Sequence, residues 1–228
     1  MKRVAIVQAR LNSARFPNKV LADIAGQPML ERVLRRVRFA SRLSQTILAT
    51  ANPELAVMAQ EWGFPTLVGH PTDVLDRYVK AATAFKADVV IRITGDCPLI
   101  DPYVIDQCID ALEEHDYAAT VIDRLFVQGL DVEVFPVDVL HRVHRLATSE
   151  AHREHVTLFI RDNLPLFDTA EVRAVRGDSA LNVSVDTPED LERVRFIYRE
   201  CPDNLEHRKW LEAAYGYTSE PVAIAATA

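Results

Sequence analysis

The residues with the clearest chemical potential are basic side chains near the start of the chain. Residues 1–22 include five Lys or Arg side chains and no carboxylate, although the whole chain has a formal net charge of −7. An apolar, β-like run from Val4 to Ala9 ends at Arg10, and the following loop spaces Arg10, Arg15 and Lys19. Basic side chains and backbone N–H groups on such a loop can bind phosphate oxygens. The segment predicts a triphosphate site, with a solvated basic surface loop as the alternative.

The loop itself, QARLNSARFPNK, contains neither the Walker P-loop motif nor the glycine-rich dinucleotide motif. Asn12 and Asn18 lie where tight turns are needed, and Asn tolerates a positive φ better than most residues that have a side chain. We therefore expect a loop that holds a nucleotide without glycines. The expected nucleotide contacts in this loop are Gln8, Ala9, Arg10, Asn12, Ser13, Arg15 and Lys19.

A second group of residues follows the apolar run that ends at Ile93. Gly95 allows a tight exit from the strand and leaves Asp96 at the carboxyl end of the sheet, where α/β proteins bind their ligands. A carboxylate that faces a triphosphate needs a divalent cation between them, and Mg²⁺ takes one or two carboxylates together with substrate phosphates. We predict that Gly95 and Asp96 belong to the site. The alternative is that Asp96 only caps the turn before Pro98.

A third candidate is Asp186, which ends the β-like run at residues 181–185. The next residues predict the start of a helix, because Thr187 fits an N-cap, Pro188 the first turn and Asp190 the acidic position of a capping box. Asp186 is not needed for that cap. Taken alone it reads as a turn residue, but together with Asp96 it predicts a second magnesium ligand.

Short runs rich in Val and Ile alternate with segments of helical period, which is typical of strand–helix–strand units around a mostly parallel sheet. The first half of the chain is predicted to be doubly wound. Its predicted strands are residues 4–9, 45–50, 66–68, 88–93 and 117–121, and its predicted helices are residues 29–40, 53–62, 74–85 and a helix around 104–112.

In the second half, GLDVEVF alternates with period two from Gly129 and predicts a half-buried strand or a strand of a mixed sheet. Further strands are predicted at residues 167–175 and 181–185, and helices at 137–147, 150–162, 188–200 and 206–215. We expect one domain over residues 1–216, with residues 126–162 as a substrate-side lobe. Residues 217–228 are expected to form a frayed or oligomer-packed tail.

Composition excludes several classes of protein. A chain of 228 residues, 49% of them hydrophobic and 26% charged, is ordinary for a soluble globular protein, and a pI near 5.5 argues against a nucleic-acid-binding surface. The three cysteines have no metal-ligand spacing, and no stretch has the length of a signal peptide core or a membrane span. We expect a cytoplasmic protein with a small anionic ligand and with no nucleic-acid or membrane partner.

Six motifs, in order along residues 4–195, carry a resemblance to a known family. They are QARLNSARFPNKVL, VLDRY, VIRITGDCPLID, GLDVEVF, REHVT and VDTPEDLE. The chain resembles the cytidylyltransferases that activate acidic sugars, a group that includes the acylneuraminate and 3-deoxy-manno-octulosonate enzymes. Within that group it is most similar to the branch of the spore coat polysaccharide biosynthesis protein F.

The resemblance implies a nucleotide-diphospho-sugar transferase fold of the GT-A type, an α/β Rossmann-like three-layer fold with a mostly parallel mixed sheet. It implies that Arg10 and Lys19 contact the triphosphate of CTP and that Asp96 and Asp186 hold Mg²⁺. These four are the expected catalytic residues. Dimers are frequent in similar enzymes, so a homodimer is expected.

Other motifs gain a role from the same resemblance. Asp76 and Arg77 match a segment beside the nucleotide, where Arg77 could recognise cytosine or ribose; an ordinary charged helix face is the alternative. Five more residues are expected to contact the acceptor sugar, although a solvated charged face explains them equally well. They are Asp131, Glu133, Arg153, Glu154 and His155.

The predicted reaction is transfer of CMP from CTP to an acidic sugar or related acceptor, with release of pyrophosphate, in surface polysaccharide or glycoconjugate biosynthesis. Catalysis of this kind depends on positioning and charge neutralisation. Three alternatives stay open at this point. They are a GT-A glycosyltransferase that uses a nucleotide sugar, a non-catalytic nucleotide-binding subunit, and the same chemistry with a phosphonate or polyol phosphate acceptor.

Overall fold

The computed structural model describes residues 1–123, 126–173, 180–202 and 206–217. The strands are β1 (Arg3–Ala9), β2 (Asp23–Ile24), β3 (Gln27–Pro28), β4 (Gln45–Thr50), β5 (Thr66–Val68), β6 (Val89–Thr94), β7 (Tyr117–Ala119), β8 (Glu133–Pro136) and β9 (Thr169–Glu171). The helices are α1 (Met29–Val37), α2 (Pro53–Glu61), α3 (Val74–Ala84), α4 (Pro102–Leu112), α5 (Val137–Leu146), α6 (Glu150–Glu154), α7 (Leu158–Asp162), α8 (Pro188–Glu200) and α9 (His207–Gly216).

Seven of these strands form one sheet in the order β5-β4-β1-β6-β8-β7-β9, and β2 and β3 form a separate short hairpin. The first four strands of the large sheet are parallel, whereas β8 is antiparallel to both β6 and β7. The predicted α/β class with a mostly parallel mixed sheet is confirmed. Because β1 lies between β4 and β6, its carboxyl end at Ala9 is central to the sheet edge.

Two apolar cores cover the two faces of this sheet. One contains residues of α1, α2, α4, α8 and α9, together with the odd-numbered residues of β6 such as Ile91 and Ile93. The other contains residues of α3 and α5, together with Val90 of β6. Successive side chains of a strand point to opposite faces, so Arg92 and Thr94 lie on the same face as Val90, beneath α3.

The helices near the sheet edge begin at the caps that the sequence predicts. Thr187 and Asp190 form a complete capping box at the start of α8, and Asp101 caps α4, in which Pro102 is the first residue. Asp73 caps α3 by accepting a hydrogen bond from the backbone N–H of Asp76 at 2.9 Å. These caps satisfy N–H groups that have no partner within the helix.

Several predicted elements differ from the structure. Residues 181–185 form no ladder; they make a single bridge, between Gln128 and Asn182. The predicted helix at 150–162 is divided into α6 and α7, because Val156 has φ 47° and a β-branched residue in that conformation ends the helical path. The predicted strand at 167–175 is shorter, and its last two residues lie outside the described part of the chain.

The strand predicted from GLDVEVF is reduced to β8, and it is buried on both faces instead of one. Leu130, Val132 and Val134 have no exposed surface, and Glu133 on the other face is only 2% exposed. The polar position in this alternating pattern is therefore occupied by a residue of a buried ion pair, Glu133, and does not lie on a solvated face. Of the predicted tail, only Tyr217 is described; residues 218–228 lie outside the described ranges. No helix formed by the described residues is long and apolar enough to cross a membrane.

The irregular segment at 181–185 is held in place by backbone hydrogen bonds. The N–H of Val183 donates to the carbonyl of Gln128 at 2.8 Å, and the N–H of Val185 donates to the carbonyl of Asp96 at 2.9 Å. Gly129 allows this approach, since a Cβ there would lie 2.5 Å from the nitrogen of Ser184. The segment therefore reaches the sheet edge beside Asp96 without becoming a strand.

We predict that Gly129→Ala destabilises the protein strongly. Gly129 has φ +95°, and its added Cβ would meet backbone atoms that cannot move without breaking the contacts of residues 183–184. Gly63→Ala is a matched control, because Gly63 has φ +85° with no atom within 4 Å of the added carbon. The control is expected to cost about 1–2 kcal/mol, the strain of a left-handed Ala. Urea denaturation should show a clearly larger loss for Gly129→Ala, and equal losses would contradict the packing argument.

Candidate functional site

A cleft of about 420 Å³ opens at the carboxyl ends of β1 and β6. One wall is the loop after β1, with Asp186 beside it, and the opposite wall comes from α3, α6 and the residue after α6. The floor is the sheet edge. The wall formed by the loop contributes Arg10, Ser13, Ala14, Arg15, Lys19 and Val20; the floor contributes Gln8, Ala9, Arg92, Thr94, Gly95 and Asp96; the far wall contributes Val74, Arg77, Glu154 and His155.

Lys19 is the centre of the hydrogen bonding in this cleft. Its Nζ donates to Asp96 Oδ2 at 3.0 Å, to Asp186 Oδ1 at 2.9 Å and to the carbonyl oxygen of Val185 at 2.7 Å. Arg15 makes a second ion pair with Asp186, at 2.9 Å. The Lys19 side chain is 10% exposed, so one buried ammonium joins the loop after β1 to two carboxylates that are 90 residues apart in the chain.

The charges of this cluster shift the pKa values of its members. Burial alone would lower the pKa of Lys19, but the charge of Asp96 and the hydrogen bonds to Asp186 and Asp96 outweigh burial and raise it above its ordinary value. Burial would likewise raise the pKa of Asp96, but the Lys19 charge and hydrogen bonds lower it. Lys19 is therefore a cation and Asp96 an anion at neutral pH. The carboxylates of Asp96 and Asp186 therefore hold the positively charged Lys19 ammonium between them.

The floor of the cleft depends on Gly95. A Cβ at this residue would lie 2.9 Å from the carbonyl oxygen of Gln8, and the N–H of Gly95 donates to that same oxygen at 2.8 Å. The chain thus leaves β6 pressed against β1, which places Asp96 beside the loop. Cys97 is buried behind Asp96, and burial together with the Asp96 charge raises the pKa of its thiol well above the ordinary value, which agrees with a packing role.

The loop after β1 has one of its two predicted turns. Asn18 is left-handed with φ 58°, directly before Lys19, and its N–H donates to the carbonyl of Leu11 at 2.9 Å. Asn12 is exposed and does not line the cleft, and it is not among the residues of positive φ in the described ranges. The glycine-free turn is therefore confirmed at Asn18 only.

The far wall contacts the loop through an ion pair between Arg10 and Glu154, with a distance of 3.3 Å. Both side chains are about half exposed, so the pair is weak and an incoming ligand can separate it. Arg77 lines the cleft but is buried, and its Nη1 donates to the carbonyl of His70 at 2.7 Å. Burial is the main cause that lowers the pKa of Arg77.

Four further predicted contacts lie away from the cleft. Asp76 pairs with Lys80 at 2.7 Å, and Asp131 does not line the cavity. The predicted sugar contact of Glu133 is corrected, because its carboxylate is buried and receives Arg92 and the hydroxyl of Tyr117.

Arg153 does not line the cleft, and its predicted sugar contact stays a prediction. Its Nε lies 3.0 Å from both carboxylate oxygens of Asp73, so it joins α6 to the start of α3. It lines a separate cavity of about 430 Å³ with His70 and Glu150. Through this contact Arg153 holds the end of α6 against α3, and so positions the next two residues, Glu154 and His155, at the cleft.

Sequence reasoning missed Arg92 and Thr94, which are part of the cleft floor. Both fall within the motif VIRITGDCPLID, in which Asp96 is the only acidic residue predicted as a ligand. The available signal was Arg92 itself, since a charged residue inside an apolar strand is seldom buried without a partner.

We predict that Lys19→Met destabilises the ligand-free protein by about 2–4 kcal/mol at pH 7, because it leaves two carboxylates without their shared cation. Lys80→Met, which breaks an exposed pair with Asp76, is the control and is expected to cost less than about 1 kcal/mol. The pKa of Asp96 is about 4 in the unfolded protein and lower in the folded protein, so this carboxylate stabilises the fold above about pH 4. That stabilisation is lost as the pH falls through the pKa of Asp96 in the folded protein. The difference in unfolding free energy between wild type and Lys19→Met should stay constant from about pH 7 to 9 and narrow as the pH falls further, because Asp96 without its cation takes up a proton more readily in the folded variant. Denaturant titrations across this pH range measure the difference in unfolding free energy. A difference that does not change at acidic pH would contradict the ion-pair assignment.

Several relatives match most of the chain, and two of them have descriptive names. The spore coat polysaccharide biosynthesis protein SpsF of Bacillus subtilis is 32% identical over 209 residues, which are 86% of this chain and 86% of that protein. The 3-deoxy-manno-octulosonate cytidylyltransferase of Solibacter usitatus is 30% identical over 240 aligned positions, covering 87% of this chain and 95% of that protein.

Solved structures share the fold. A cytidylyltransferase from Leptospira borgpetersenii superposes with a TM-score of 0.88 at 24% identity, over 95% of this chain and 93% of that one. A CMP:2-keto-3-deoxy-manno-octonic acid synthetase complexed with CTP superposes with a TM-score of 0.66 at 22% identity, over 88% of this chain and 99% of that one. The family model of the cytidylyltransferases matches residues 4–210. The chain therefore belongs to the cytidylyltransferase family and is a nucleotidyltransferase.

Proposed function

We propose that this enzyme transfers CMP from CTP to an acidic sugar or related acceptor and releases pyrophosphate. The observation that carries the proposal is the cluster in which Lys19 is held between Asp96 and Asp186, with Arg10 and Arg15 on the same loop. Three cations on one wall suit three phosphates, and the two carboxylates in contact with them suit a metal-bound nucleotide. The relatives named above support CTP as the nucleotide and surface polysaccharide synthesis as the setting.

The donor set fits Mg²⁺. The Asp96 and Asp186 carboxylates each lie within 3.0 Å of one nitrogen, so both face the same point. Among the described residues, no cluster of three or more His, Cys, Asp or Glu side chains could hold a metal. Mg²⁺ needs only one or two carboxylates when substrate phosphates and water complete its coordination. We propose that these two residues hold it when CTP is bound.

The reaction forms one bond and breaks one at the α-phosphorus of CTP. An oxygen of the acceptor attacks the phosphorus, and the bond to the pyrophosphate oxygen breaks. Arg10, Arg15 and Lys19 then hold the departing pyrophosphate, and Lys19 reaches it by leaving the two carboxylates. Bound Mg²⁺ supplies charge stabilisation at the phosphate oxygens. The chain also positions the reacting groups. The backbone contacts of Gly95 and Val185 hold the two carboxylates in place.

We further propose the GT-A type of nucleotide-diphospho-sugar transferase for this fold. The support is the strand order, in which parallel strands β5, β4, β1 and β6 are followed by the antiparallel strand β8. In this arrangement the site lies at the carboxyl ends of β1 and β6, next to the strand that changes direction.

The first test is a nucleotide screen by thermal shift in the presence of Mg²⁺. CTP is expected to raise the melting temperature by about 5 °C or more at a concentration of about 100 times its Kd, since such binding adds about 2.7 kcal/mol. UTP, ATP and GTP should raise it much less. Arg15→Gln should weaken CTP binding and leave CMP binding unchanged, because Arg15 is proposed to contact only the outer phosphates. Equal stabilisation by all four nucleotides would contradict the assignment of CTP.

The second test is catalytic. Asp96→Asn and Asp186→Asn should each reduce pyrophosphate release by about 10³-fold, equivalent to about 4 kcal/mol of transition-state stabilisation. Both variants should keep the circular dichroism spectrum of the wild type. Asp110→Asn is the control, since Asp110 is exposed and pairs with Arg42. An Asp96→Asn enzyme that retains full CTP-dependent pyrophosphate release against a panel of acidic sugars would overturn the proposal.

A further inference from the structure

Arg92 is a charged residue in the middle of a buried strand. Val90, Ile91 and Ile93, its neighbours in β6, have no exposed surface, whereas the Arg92 side chain is 11% exposed. Arg92 also lines the floor of the cleft, so the cleft is where it meets solvent. A buried ion pair is seldom more stable than well-packed apolar residues of similar volume, so stability alone does not account for an arginine here.

Glu133 fixes the orientation of Arg92. The two residues lie directly opposite each other in the register of β6 and β8, and Arg92 Nη1 forms an ion pair with Glu133 Oε1. The hydroxyl of Tyr117 donates to the other oxygen, Glu133 Oε2, at 2.5 Å. Burial would raise the pKa of Glu133, but the Arg92 charge and these hydrogen bonds lower it, so the carboxylate is a fixed anion.

The ion pair through Nη1 leaves the Nε of the guanidinium unused. Among the described residues, the buried Nε of Arg92 has no hydrogen-bond partner. The edge of an arginine that includes Nε is one that binds carboxylates and phosphates through two parallel hydrogen bonds. A second orphan lies on the same floor, since Gln8 Oε1 is also buried without a partner. Gln8 is opposite Thr94 in the register, one residue pair beyond Arg92 on the same face.

The position of Arg92 separates it from the triphosphate wall. Arg92 lies on the sheet face covered by α3, whereas Val20 and Val185, next to Lys19 and Asp186, pack into the core of the other face. In an in-line displacement the attacking group approaches opposite the leaving group. If pyrophosphate leaves along the loop of Arg10, Arg15 and Lys19, the acceptor enters from the side of Arg92, Glu154 and His155. A nucleoside has no anionic group that would need an arginine there.

We propose that Arg92, oriented by Glu133, binds the anionic group of the acceptor and selects acidic acceptors over neutral ones. This inference rests on the proposed function and names a residue that determines its specificity. Gln8 Oε1 would accept a hydrogen bond from a hydroxyl of the same acceptor. Both orphan groups on the floor would then be satisfied by one ligand that carries an acid and a hydroxyl.

The test compares Arg92→Lys with the wild type on matched acids and esters. The lysine keeps the charge beside Glu133 but lacks the two-pronged edge, so the pair inside the sheet is retained. The probes are 3-deoxy-manno-octulosonate, N-acetylneuraminate and the methyl ester of each. Binding is measured by titration of the protein saturated with CMP, a complex that cannot react. A double variant, Arg92→Met with Glu133→Gln, removes both charges and serves if the single variant folds poorly.

At least one acid should bind the wild type about tenfold or more tightly than its ester, and Arg92→Lys should reduce that preference to about twofold. The affinity for CTP should change by less than about twofold, because Arg92 is placed away from the triphosphate. In turnover assays, Arg92→Lys should raise the KM for the acceptor and leave the KM for CTP unchanged.

Three results would overturn the inference. They are a preference for acid that survives in both variants, an equal loss of acid and ester binding, and no binding of any acid by wild type that binds CTP. These differ from failure of the proposed function, in which CTP itself neither stabilises the wild type nor releases pyrophosphate.

Discussion

The site depends on the contact of one ammonium group with two carboxylates. Lys19 follows β1, Asp96 follows β6 and Asp186 follows an irregular segment, so the three residues that meet here are far apart in the sequence. Their meeting requires β1 and β6 to be neighbours, Gly95 to approach Gln8 closely, and Val185 to bond to the backbone of Asp96. The ammonium cancels part of the repulsion between two anions that would otherwise be costly to hold together.

The same contact explains how a site for a polyanion stays folded when it is empty. The loop cations are paired within the cleft, Lys19 and Arg15 with the carboxylates and Arg10 with Glu154. Lys19 is buried, but Arg10 and Arg15 are more than half exposed. The outer pairs are therefore weak and the inner one strong, so the outer cations are free to change partners first.

Much of this arrangement could be predicted from the sequence, because its signals are local. The apolar runs of β1, β4 and β6, the capping box at Thr187 and the glycine at residue 95 each follow from neighbouring residues. Asp96 and Asp186 could be paired because both end β-like runs. What local patterns could not supply is the partner of a buried charge. GLDVEVF alternates as a half-solvated strand would, and only the register with β6 shows that Glu133 faces Arg92. Similarly, the basic face around Arg153 reads as solvated until α6 is placed against Asp73.

The direction of β8 has a consequence for how the enzyme can diversify. The parallel strands β1 and β6 place their carboxyl ends at the cleft, where Ala9, Gly95 and Asp96 lie. Because β8 is antiparallel, it places its amino end at the same edge of the sheet, where the buried Glu133 meets Arg92. The two sides of the cleft thus come from parts of the chain with separate packing partners. Under the roles proposed for Lys19 and Arg92, substitutions around β8, α5 and α6 would change which acceptor is bound and leave the nucleotide side unchanged, so that one scaffold would serve enzymes that share a donor and differ in acceptor.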